Sequence, residues 1–279
     1  MNQSRLNRLK SHQNKTLNIH EANQLNMKYE ELISRNKGFI PKRVQRKIGE
    51  CKVLLVGCGL GGQIGLLAVR TGFRNFILID GDNVEVNNLN RQAFRLKHIG
   101  QNKAEALASI IKEINPRARI EAYQKFLKEE KLAQELIDKS DVVVNMADPE
   151  EIMYFINSYA QNKGKIVIFP MNPAWGGYVL IFTRDSPRLE EIINGKLKGN
   201  IFYLALFEKT VSKFPPTFSK LFKKLGKKVL TDTSLAGPQL GVANYLTASL
   251  VVTGVIKWLS GEPIKKAPEP TFIDLWENL

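Results

Sequence analysis

Cysteine is scarce in this sequence, which contains only Cys51 and Cys58 among its 279 residues. The two do not form a C-x-x-C pair, so a four-cysteine zinc site is excluded. Two cysteines are also too few for the disulfide framework of a small secreted protein. We therefore expect a protein without zinc in a reducing, cytoplasmic compartment.

Uninterrupted apolar runs of membrane length are also missing. The opening residues are polar and basic, unlike a secretory signal. The most apolar long stretch, 240–259, contains Asn244, Thr247, Thr253 and Lys257, whereas a membrane span needs about 20 mostly apolar residues. We expect this stretch to be a buried or dimer-packing helix, and we expect no membrane association.

Acidic side chains are outnumbered by basic ones, 27 to 41, which gives a net charge of +14. That balance favours anionic partners such as nucleotides, nucleic acid or an acidic protein, but it does not indicate a fold. Residues 1–28 are predicted to be a flexible basic segment. The hydrophobic fraction of 43% is sufficient for a buried core in the remainder.

Short apolar runs alternate with helical segments through most of the chain. Strands are predicted at 52–56, 75–79, 118–123, 141–145, 165–169 and 178–183, and helices at 21–36, from Gly65 onwards, 103–115, 127–139, 150–162 and 241–260. Strands that are apolar on both faces and alternate with helices are typical of parallel sheets. The sequence therefore predicts an α/β fold, a doubly wound Rossmann-like sheet with helices on both faces, and a C-terminal extension that includes the tail 263–279.

A glycine-rich loop lies between the first predicted strand and its helix. It reads Gly57-x-Gly59-x-x-Gly62, and Asp80 ends the following strand. Such glycines let backbone amides approach phosphate oxygens, and an acid in this position can accept hydrogen bonds from ribose hydroxyls. The motif is compatible with NAD, FAD, S-adenosylmethionine or ATP, so an NAD-dependent oxidoreductase is one alternative.

Polar side chains after further strands favour a triphosphate. Asn88, Asn90, Arg91 and Gln92 follow the second strand, Lys103 begins the next helix, and Asp148 follows a later strand. Arginine suits bidentate contact with phosphate, lysine acts as a point charge, and a carboxylate can hold Mg²⁺. Taken singly, the two cations could be solvated charges and Asp148 a helix cap. Together they predict a site for ATP with Mg²⁺.

These motifs resemble the ThiF/MoeB/HesA family, the prokaryotic relatives of the adenylation domain of ubiquitin-activating enzymes. The matching residues are the glycine loop, Asp80-Gly81-Asp82, Asn88-Leu89-Asn90-Arg91-Gln92, Gly100-x-x-Lys103, Ile114-Asn115-Pro116 and Asp148. Ser34-Arg35-Asn36 resembles the Ser-Arg-Gln segment of the family, and 236–241 its closing segment. The resemblance implies an adenylation domain over 29–262, with a nucleotide-binding core at 50–170 and a substrate-side and dimer-packing part at 171–262.

The resemblance also implies an activity, in which a carboxylate attacks the α-phosphate of ATP and pyrophosphate leaves. The substrate is typically the C-terminal carboxylate of a ubiquitin-like carrier protein or a peptide. By resemblance, Asp80 holds the ribose, and Gly59, Gly61 and Gly62 line the phosphates. By the same resemblance, Asn88 and Arg91 orient the β- and γ-phosphates with support from Gln92. Lys103 is then expected to stabilise charge near the α-phosphate, and Asp148 to bind Mg²⁺. Gly57, Asp82 and Asn90 complete the nucleotide-binding set. Arg35 is expected to complete the site of a second subunit, which implies a homodimer.

The sequence departs from parts of the family. No cysteine follows Cys58, so transfer through a thioester of this chain is disfavoured, and the zinc-binding cysteine pairs of many MoeB-like members are missing. The basic segment 209–228 is either a solvated helix face or a surface for an acidic partner or RNA. One branch of the family, the tRNA threonylcarbamoyladenosine dehydratases, activates a carboxylate on a tRNA base, and is the main alternative. A binding module without catalysis is a further one.

Overall fold

The computed structural model describes residues 28–211, 219 and 238–279. The helices in these residues are α1 (Tyr29–Leu32), α2 (Lys42–Glu50), α3 (Gly59–Thr71), α4 (Lys103–Ile114), α5 (Glu130–Asp138), α6 (Glu151–Asn162), α7 (Leu189–Ile192), α8 (Gly199–Thr210), α9 (Gly241–Ser260) and α10 (Leu275–Asn278). The strands are β1 (Lys52–Val56), β2 (Asn75–Ile79), β3 (Arg119–Tyr123), β4 (Val142–Asn145), β5 (Ile166–Met171), β6 (Gly176–Phe182) and β7 (Thr271–Asp274). Short 3-10 helices lie at Ser34–Asn36, Val86–Asn88 and Leu96–His98.

The seven strands form one sheet in the order β3-β2-β1-β4-β5-β6-β7. The first five strands of that order are parallel, and β6 and β7 are antiparallel additions at one edge. The chain moves outward from β1 in one direction to β2 and β3, and in the other to β4 and β5. The prediction of a doubly wound, mostly parallel α/β sheet is confirmed.

The core has two layers, one on each face of the sheet. Alternate residues of β1 show why: Val53 and Leu55 pack with α2, α3, α4 and α9, whereas Leu54 and Val56 pack with α5, α6, α7 and α8. Leu54 and Leu55 are both 0% exposed. Burying one such side chain contributes roughly 1.5–3 kcal/mol, so a run that is apolar on both faces is stable only between helices.

Several elements differ from the sequence-based expectations. The predicted helix at 21–36 is described only from residue 28, as α1 and a 3-10 turn, and α2 was not predicted. Strand β5 continues through Pro170 to Met171 because β4 pairs with it only as far as Ile168. Proline is tolerated where a strand lacks a partner on one side. The predicted segment 1–28, apart from its last residue, and nearly all of the basic segment 209–228 lie outside the described residues.

The C-terminal end of the chain contributes to the sheet. Strand β7 pairs with β6, and the indole of Trp276 in α10 lies 5.0 Å from that of Trp175, which follows β5. Helix α9 is long and apolar enough to cross a membrane by length and composition. It packs against β6 and α3. The buried polar side chains of Asn244 and Thr247 form hydrogen bonds to the end of β5 and the segment after it, and to the carbonyl of Arg91. The predicted role of α9 in dimer packing stays a prediction.

Candidate active site

A cavity of about 640 Å³ opens at the carboxyl ends of the parallel strands. It is lined by Gly57 and Gly59 after β1, Asp80, Gly81 and Asp82 after β2, Phe126, Leu127 and Lys128 after β3, Met146, Ala147 and Asp148 after β4, and 169–174 at the end of β5. Arg91, Gln92, Lys103, part of α8, Pro238 and Gln239 complete the wall. Ligands of open α/β sheets bind where the connections leave neighbouring strands in opposite directions, here between β1 and β4.

Two of the four predicted glycines lie on this cavity. Gly57 has φ +93°, and a Cβ there would lie 3.0 Å from the carbonyl oxygen of Met146. Gly59 begins α3 beside the side chain of Gln92. Gly61 and Gly62 follow in the first turn of α3, where a Cβ would meet the side chains of Met146 and Ala93. They do not line the cavity, and their predicted contact with phosphates stays a prediction.

Asp80 joins the glycine loop to the turn after β2. One carboxylate oxygen accepts the N–H of Cys58 at 2.6 Å and the other accepts the N–H of Asp82 at 2.8 Å. Burial raises the pKa of Asp80, and these hydrogen bonds act in the opposite direction. Each oxygen retains lone-pair capacity towards the cavity, so a ribose hydroxyl can be bound without breaking the loop.

Lys103 is buried in the first turn of α4, where Asn102 caps the helix through its side-chain oxygen. The Lys103 ammonium group lies 2.8 Å from the carboxylate of Asp82, and its backbone N–H bonds the Asp82 carbonyl at 2.9 Å. Asn102 also donates to the carbonyl of Asp80. The predicted nucleotide residues 80, 82 and 103 thus form one hydrogen-bonded unit.

Asp148 presents a carboxylate to the cavity from the turn after β4. Helix α6 begins at Glu151, preceded by Glu150, so Asp148 is not its cap. Surrounding protein removes part of its hydration and raises its pKa, and the nearby carboxylates of Asp82 and Glu150 raise it further. The turn is held by Asn145, whose buried side chain bonds the backbone of α6 and the N–H of Ala147.

Arg91 reaches the cavity with several acceptors already around it. Its Nε donates to the side-chain oxygen of Gln239 at 2.8 Å, and one terminal nitrogen donates to the carbonyl of Asn87 and the side chain of Asn90. Burial lowers the pKa of Arg91. Among the described residues no carboxylate forms an ion pair with it, so its positive charge is available to an anionic ligand.

The two other asparagines of this stretch are not on the wall. Asn88 is 5% exposed and holds the 3-10 turn, since its side-chain oxygen accepts the N–H of Glu85. Asn90 bonds Arg91 and the backbone of Gln239. In the structure Asn90 positions Arg91 directly and Asn88 holds the preceding turn. The predicted contact of Asn88 with phosphates and the place of Asn90 in the nucleotide-binding set stay predictions.

Two amide side chains that the sequence did not predict as site residues, Asn172 and Gln239, line the cavity, and the buried amide of Asn244 lies behind them. The side chain of Asn172, after β5, donates to those of Asn244 and Gln239, and Asn244 donates to the carbonyl of Arg91 at 3.1 Å. Together with the Arg91–Gln239 bond these contacts form a closed ring. Asn172 follows a strand end, as Asp148 does, and that position was the available signal.

Arg35 lies away from the cavity of its own chain. It is exposed, and its neighbour Asn36 bonds the carbonyl of Thr71 at the far end of α3. Helix α3 begins at the cavity and has 13 residues, so the two ends are about 20 Å apart. Within one chain Arg35 does not join the site.

Neither cysteine is suited to covalent chemistry. Cys58 is 0% exposed, and burial raises its pKa well above the usual range. Burial likewise raises the pKa of Cys51 to about 12. The thiolate is the reactive form, so both thiols are inert near neutral pH.

Residues 33–279 match the ThiF family. The chain is 36% identical over 104 residues to SUMO-activating enzyme subunit 2 of Dictyostelium discoideum, a match that covers 37% of the chain and 16% of that protein. It is 27% identical over 229 residues to the adenylyltransferase and sulfurtransferase uba4 of Aspergillus niger, covering 81% of the chain and 43% of that protein. The chain thus spans less than half the length of these relatives.

Solved structures share the fold. PaaA superposes with a TM-score of 0.63 at 21% identity, covering 94% of this chain and 80% of that one. MccB of E. coli, solved with ATP, gives a TM-score of 0.57 at 19% identity, covering 80% of this chain and 60% of that one.

Proposed function

The chain belongs to the ThiF family, and from that membership and the cavity described above we propose that it is an ATP-dependent adenylyltransferase. Its proposed substrate is the C-terminal carboxylate of a peptide or of a ubiquitin-like carrier protein. The products are an acyl-adenylate and pyrophosphate. The observation that carries this proposal is the presence of Arg91, Lys103 and Asp148 on one cavity wall beside a glycine loop.

The residues suit in-line attack on the α-phosphate. Asp80 would hold the ribose, and the backbone of Gly57 and Gly59 admits phosphate oxygens closely. Lys103 would exchange its bond with Asp82 for the charge that develops at the α-phosphate, and Arg91 would bind the leaving pyrophosphate. Positioning and charge stabilisation of this kind are the protein's main contributions to phosphoryl and nucleotidyl transfer.

The donor set also fits Mg²⁺. No group of three or more acidic, cysteine or histidine side chains forms a metal site in the described residues. Mg²⁺ in nucleotide enzymes is commonly held by one or two carboxylates together with substrate phosphates. Asp148, which has no hydrogen-bonding partner for its carboxylate among the described side chains, would provide that ligand, and the ion would supply positive charge at the phosphates.

Relatives support the same activity. The uba4 protein is an adenylyltransferase and sulfurtransferase, and MccB has been solved with AMPCPP and MccA. We also propose that Arg35 of a second copy completes each site, which implies a homodimer. Arg35 is exposed and distant from the cavity of its own chain, and both features suit a role in trans. A cytoplasmic location is proposed on the basis of the two free thiols.

Three alternative functions, an oxidoreductase, a tRNA-modifying enzyme and a binding module, are supported by different observations. Family membership removes the reason for an NAD-dependent oxidoreductase, which rested on the glycine loop alone. The net charge of +14 favours an anionic substrate and keeps a modified tRNA as the second candidate. A binding module that does not catalyse remains to be separated from an enzyme by measurement.

ATP–pyrophosphate exchange tests the proposal. The purified protein is incubated with ATP, Mg²⁺ and labelled pyrophosphate, in parallel with a diglycine-tailed carrier, free peptides and modified tRNA. Exchange that depends on a peptide or carrier supports the proposal. Exchange that depends on tRNA would instead identify a tRNA-modifying enzyme, the second candidate. ATP binding without exchange in any arm would identify a binding module.

A further inference from the structure

The cavity has an apolar end that the nucleotide residues do not explain. We call it the apolar pocket, formed by Phe169 and Met171 at the end of β5, Leu204 and Phe207 on α8, and Ile152 at the start of α6. Phe169, Met171 and Phe207 are almost completely buried and close its floor. Leu204 and Ile152 are half-buried and face the open volume.

The floor of the apolar pocket is rigidly supported. The ring of Phe169 packs edge-on against Phe202 at 5.5 Å between centroids. The ring of Phe207 packs against Tyr178 at 6.0 Å and edge-on against Phe272 of β7 at 5.3 Å. Aromatic pairs in these geometries stabilise each other by about 0.5–1.5 kcal/mol beyond the area that they bury. The floor of the pocket is therefore held by contacts within the protein.

The apolar pocket adjoins the predicted reaction centre. Strands β4 and β5 are paired as far as Val144 and Ile168, where neighbouring strands are about 4.8 Å apart. Asp148 follows β4, and Phe169 follows that last pair on β5. The start of α8 is tied to the same turn by an ion pair of Lys198 with Glu150 at 2.9 Å. Tyr203 on α8 and Asp148 line the same cavity. A group in the pocket would thus lie beside the α-phosphate.

The nucleobase has a different place. The sheet order puts β3 and β5 on opposite sides of β1. A nucleotide with its ribose at Asp80 and its phosphates at the glycine loop directs its base away from β5, towards Phe126 and Leu127 after β3. Those two residues line the same cavity. The apolar pocket is left for the other substrate.

We propose that the apolar pocket receives a bulky apolar side chain on the C-terminal residue of the substrate, so that the natural substrate is a peptide or protein ending in a residue such as leucine rather than in diglycine. This inference rests on the proposed function. A terminal glycine would leave the pocket unfilled, whereas a leucine side chain would bury its apolar surface against the apolar side chains of the pocket. Differences of one or a few methylenes in such pockets change specificity by about 10- to 200-fold.

Three peptides that differ only in the last residue provide the test: they end in Gly, Leu or Asn. Asn is close to Leu in size but polar, so it separates volume from apolarity. Their affinities are measured by calorimetry on the full chain with Mg²⁺ and a non-hydrolysable ATP analogue. We expect the Leu peptide to bind at least about tenfold more tightly than the Gly and Asn peptides. Equal affinities, or preference for Gly or Asn, would overturn the inference.

Substitution of a pocket residue locates the effect. Leu204→Trp fills the pocket, and we expect it to abolish the preference for Leu while binding of the ATP analogue is retained. Ile201→Trp is the matched control, because Ile201 lies on the same helix, is 50% exposed and is not on the cavity wall. A preference for Leu that survives Leu204→Trp would show that the side chain binds elsewhere.

Failure of the inference is distinct from failure of the proposed function. The peptide comparison measures binding and does not depend on catalysis or on any variant. ATP–pyrophosphate exchange with the tightest of the three peptides then measures catalysis. Selective binding of the Leu peptide without exchange would support the pocket assignment and refute the adenylyltransferase activity. Exchange without selectivity among the peptides would support the adenylyltransferase activity and refute the pocket assignment.

Discussion

The two ends of the cavity are built by different means. At the ends of β1, β2 and β4, polar side chains are held by backbone groups and by one another, as Asp80 is by two N–H groups and Lys103 by Asp82. At the end of β5 and on α8, aromatic rings pack on rings, and the polar side chains that line the cavity there are the amides of Asn172 and Asn200 and the phenol of Tyr203. The first arrangement fixes charges for a nucleotide, and the second offers mainly shape and apolar surface. Binding of ATP and selection of the acyl group are therefore expected to respond to different substitutions.

The largest expected effect concerns the cations of the polar end. Arg91→Ala or Lys103→Ala removes a positive charge that would stabilise the transition state, a loss that typically costs about 2.7–4 kcal/mol. We expect ATP–pyrophosphate exchange to fall at least roughly a hundredfold in each variant. Arg95→Ala and Lys112→Ala are matched controls, since both side chains are exposed cations outside the cavity wall. Normal exchange in both active-site variants would refute the assignment of this end.

The next effect concerns the backbone of the polar end. Gly57→Ala places a residue in a left-handed conformation, which costs about 1–3 kcal/mol, and brings its Cβ to 3.0 Å from a carbonyl oxygen. Gly100 also has positive φ, +83°, but nothing lies within 4 Å of a Cβ there. Gly100→Ala therefore carries the conformational cost alone.

Chemical denaturation of both glycine variants separates the two contributions. We expect Gly57→Ala to lower the free energy of unfolding more than Gly100→Ala does, and to weaken ATP binding, whereas Gly100→Ala should leave ATP affinity unchanged. Equal stability losses would mean that the contact of Gly57 with the turn after β4 contributes nothing.

Much of the fold could be predicted because its strands are apolar on both faces and appear in the sequence as continuous apolar runs. Elements that are buried on one side only have no such run, and they were missed. Helix α2 begins after Pro41 and buries chiefly Val44 and Ile48 among basic residues, and β7 pairs with a single strand at the edge of the sheet. Neither leaves a continuous apolar run in the sequence.

Asp80, Lys103 and Asp148 could be predicted because they follow a strand or open a helix, and the ends of parallel strands meet at one edge. Arg91 and Gln92, which also line the cavity, were predicted from the polar stretch after β2. The sequence does not show which polar side chains form hydrogen bonds within the protein, as those of Asn88 and Asn90 do. From the sequence alone, Asn88 was predicted at the phosphates and Asn90 in the nucleotide-binding set. Gln239 was missed because it lies 148 residues from Arg91 and meets it only through the packing of α9.

The hydrogen-bonded ring of Arg91, Gln239, Asn172 and Asn244 connects the polar end of the cavity with the end of β5. Substitution of Gln239 is expected to have a smaller effect on exchange. Gln239→Ala removes the acceptor of the Arg91 Nε but no group that would touch ATP itself. A hydrogen bond to a charged group contributes roughly 1.5–3 kcal/mol, so we expect exchange to fall about tenfold. Gln101→Ala, which removes an exposed amide bonded only to the backbone of Lys97, is the control.

A positioning role for Gln239 is separated from a merely structural one by combining substitutions. In the Arg91→Ala background, Gln239→Ala should cause little further loss of exchange, because the bond to Arg91 is already absent and only the bond that Gln239 accepts from Asn172 is still lost. Additive losses in the double variant would show that Gln239 acts independently of Arg91.

The smallest expected effect is a trade of stability against activity at Asp148. The pKa of this carboxyl is raised in the folded protein, chiefly by burial and then by Asp82 and Glu150. A raised folded-state pKa means that the ionised form is disfavoured on folding, so stability is lost as pH rises from the unfolded pKa through the folded one and is not regained above it. Asp148→Asn removes that ionisation. We expect it to increase the free energy of unfolding at neutral pH and to leave it nearly unchanged in acid, where the carboxyl is protonated in both states.

Activity should change in the opposite direction, because Mg²⁺ and the phosphates require the ionised carboxylate. Exchange by the unsubstituted protein should decline as pH falls through the raised pKa, and Asp148→Asn should be weakly active without that dependence. Asp185→Asn, at an exposed site outside the cavity wall, is the control for both measurements. Stabilisation by Asp148→Asn with loss of exchange would mean that the fold tolerates an unfavourable charge there because the site needs it. A destabilised variant would instead assign Asp148 to holding the turn after β4.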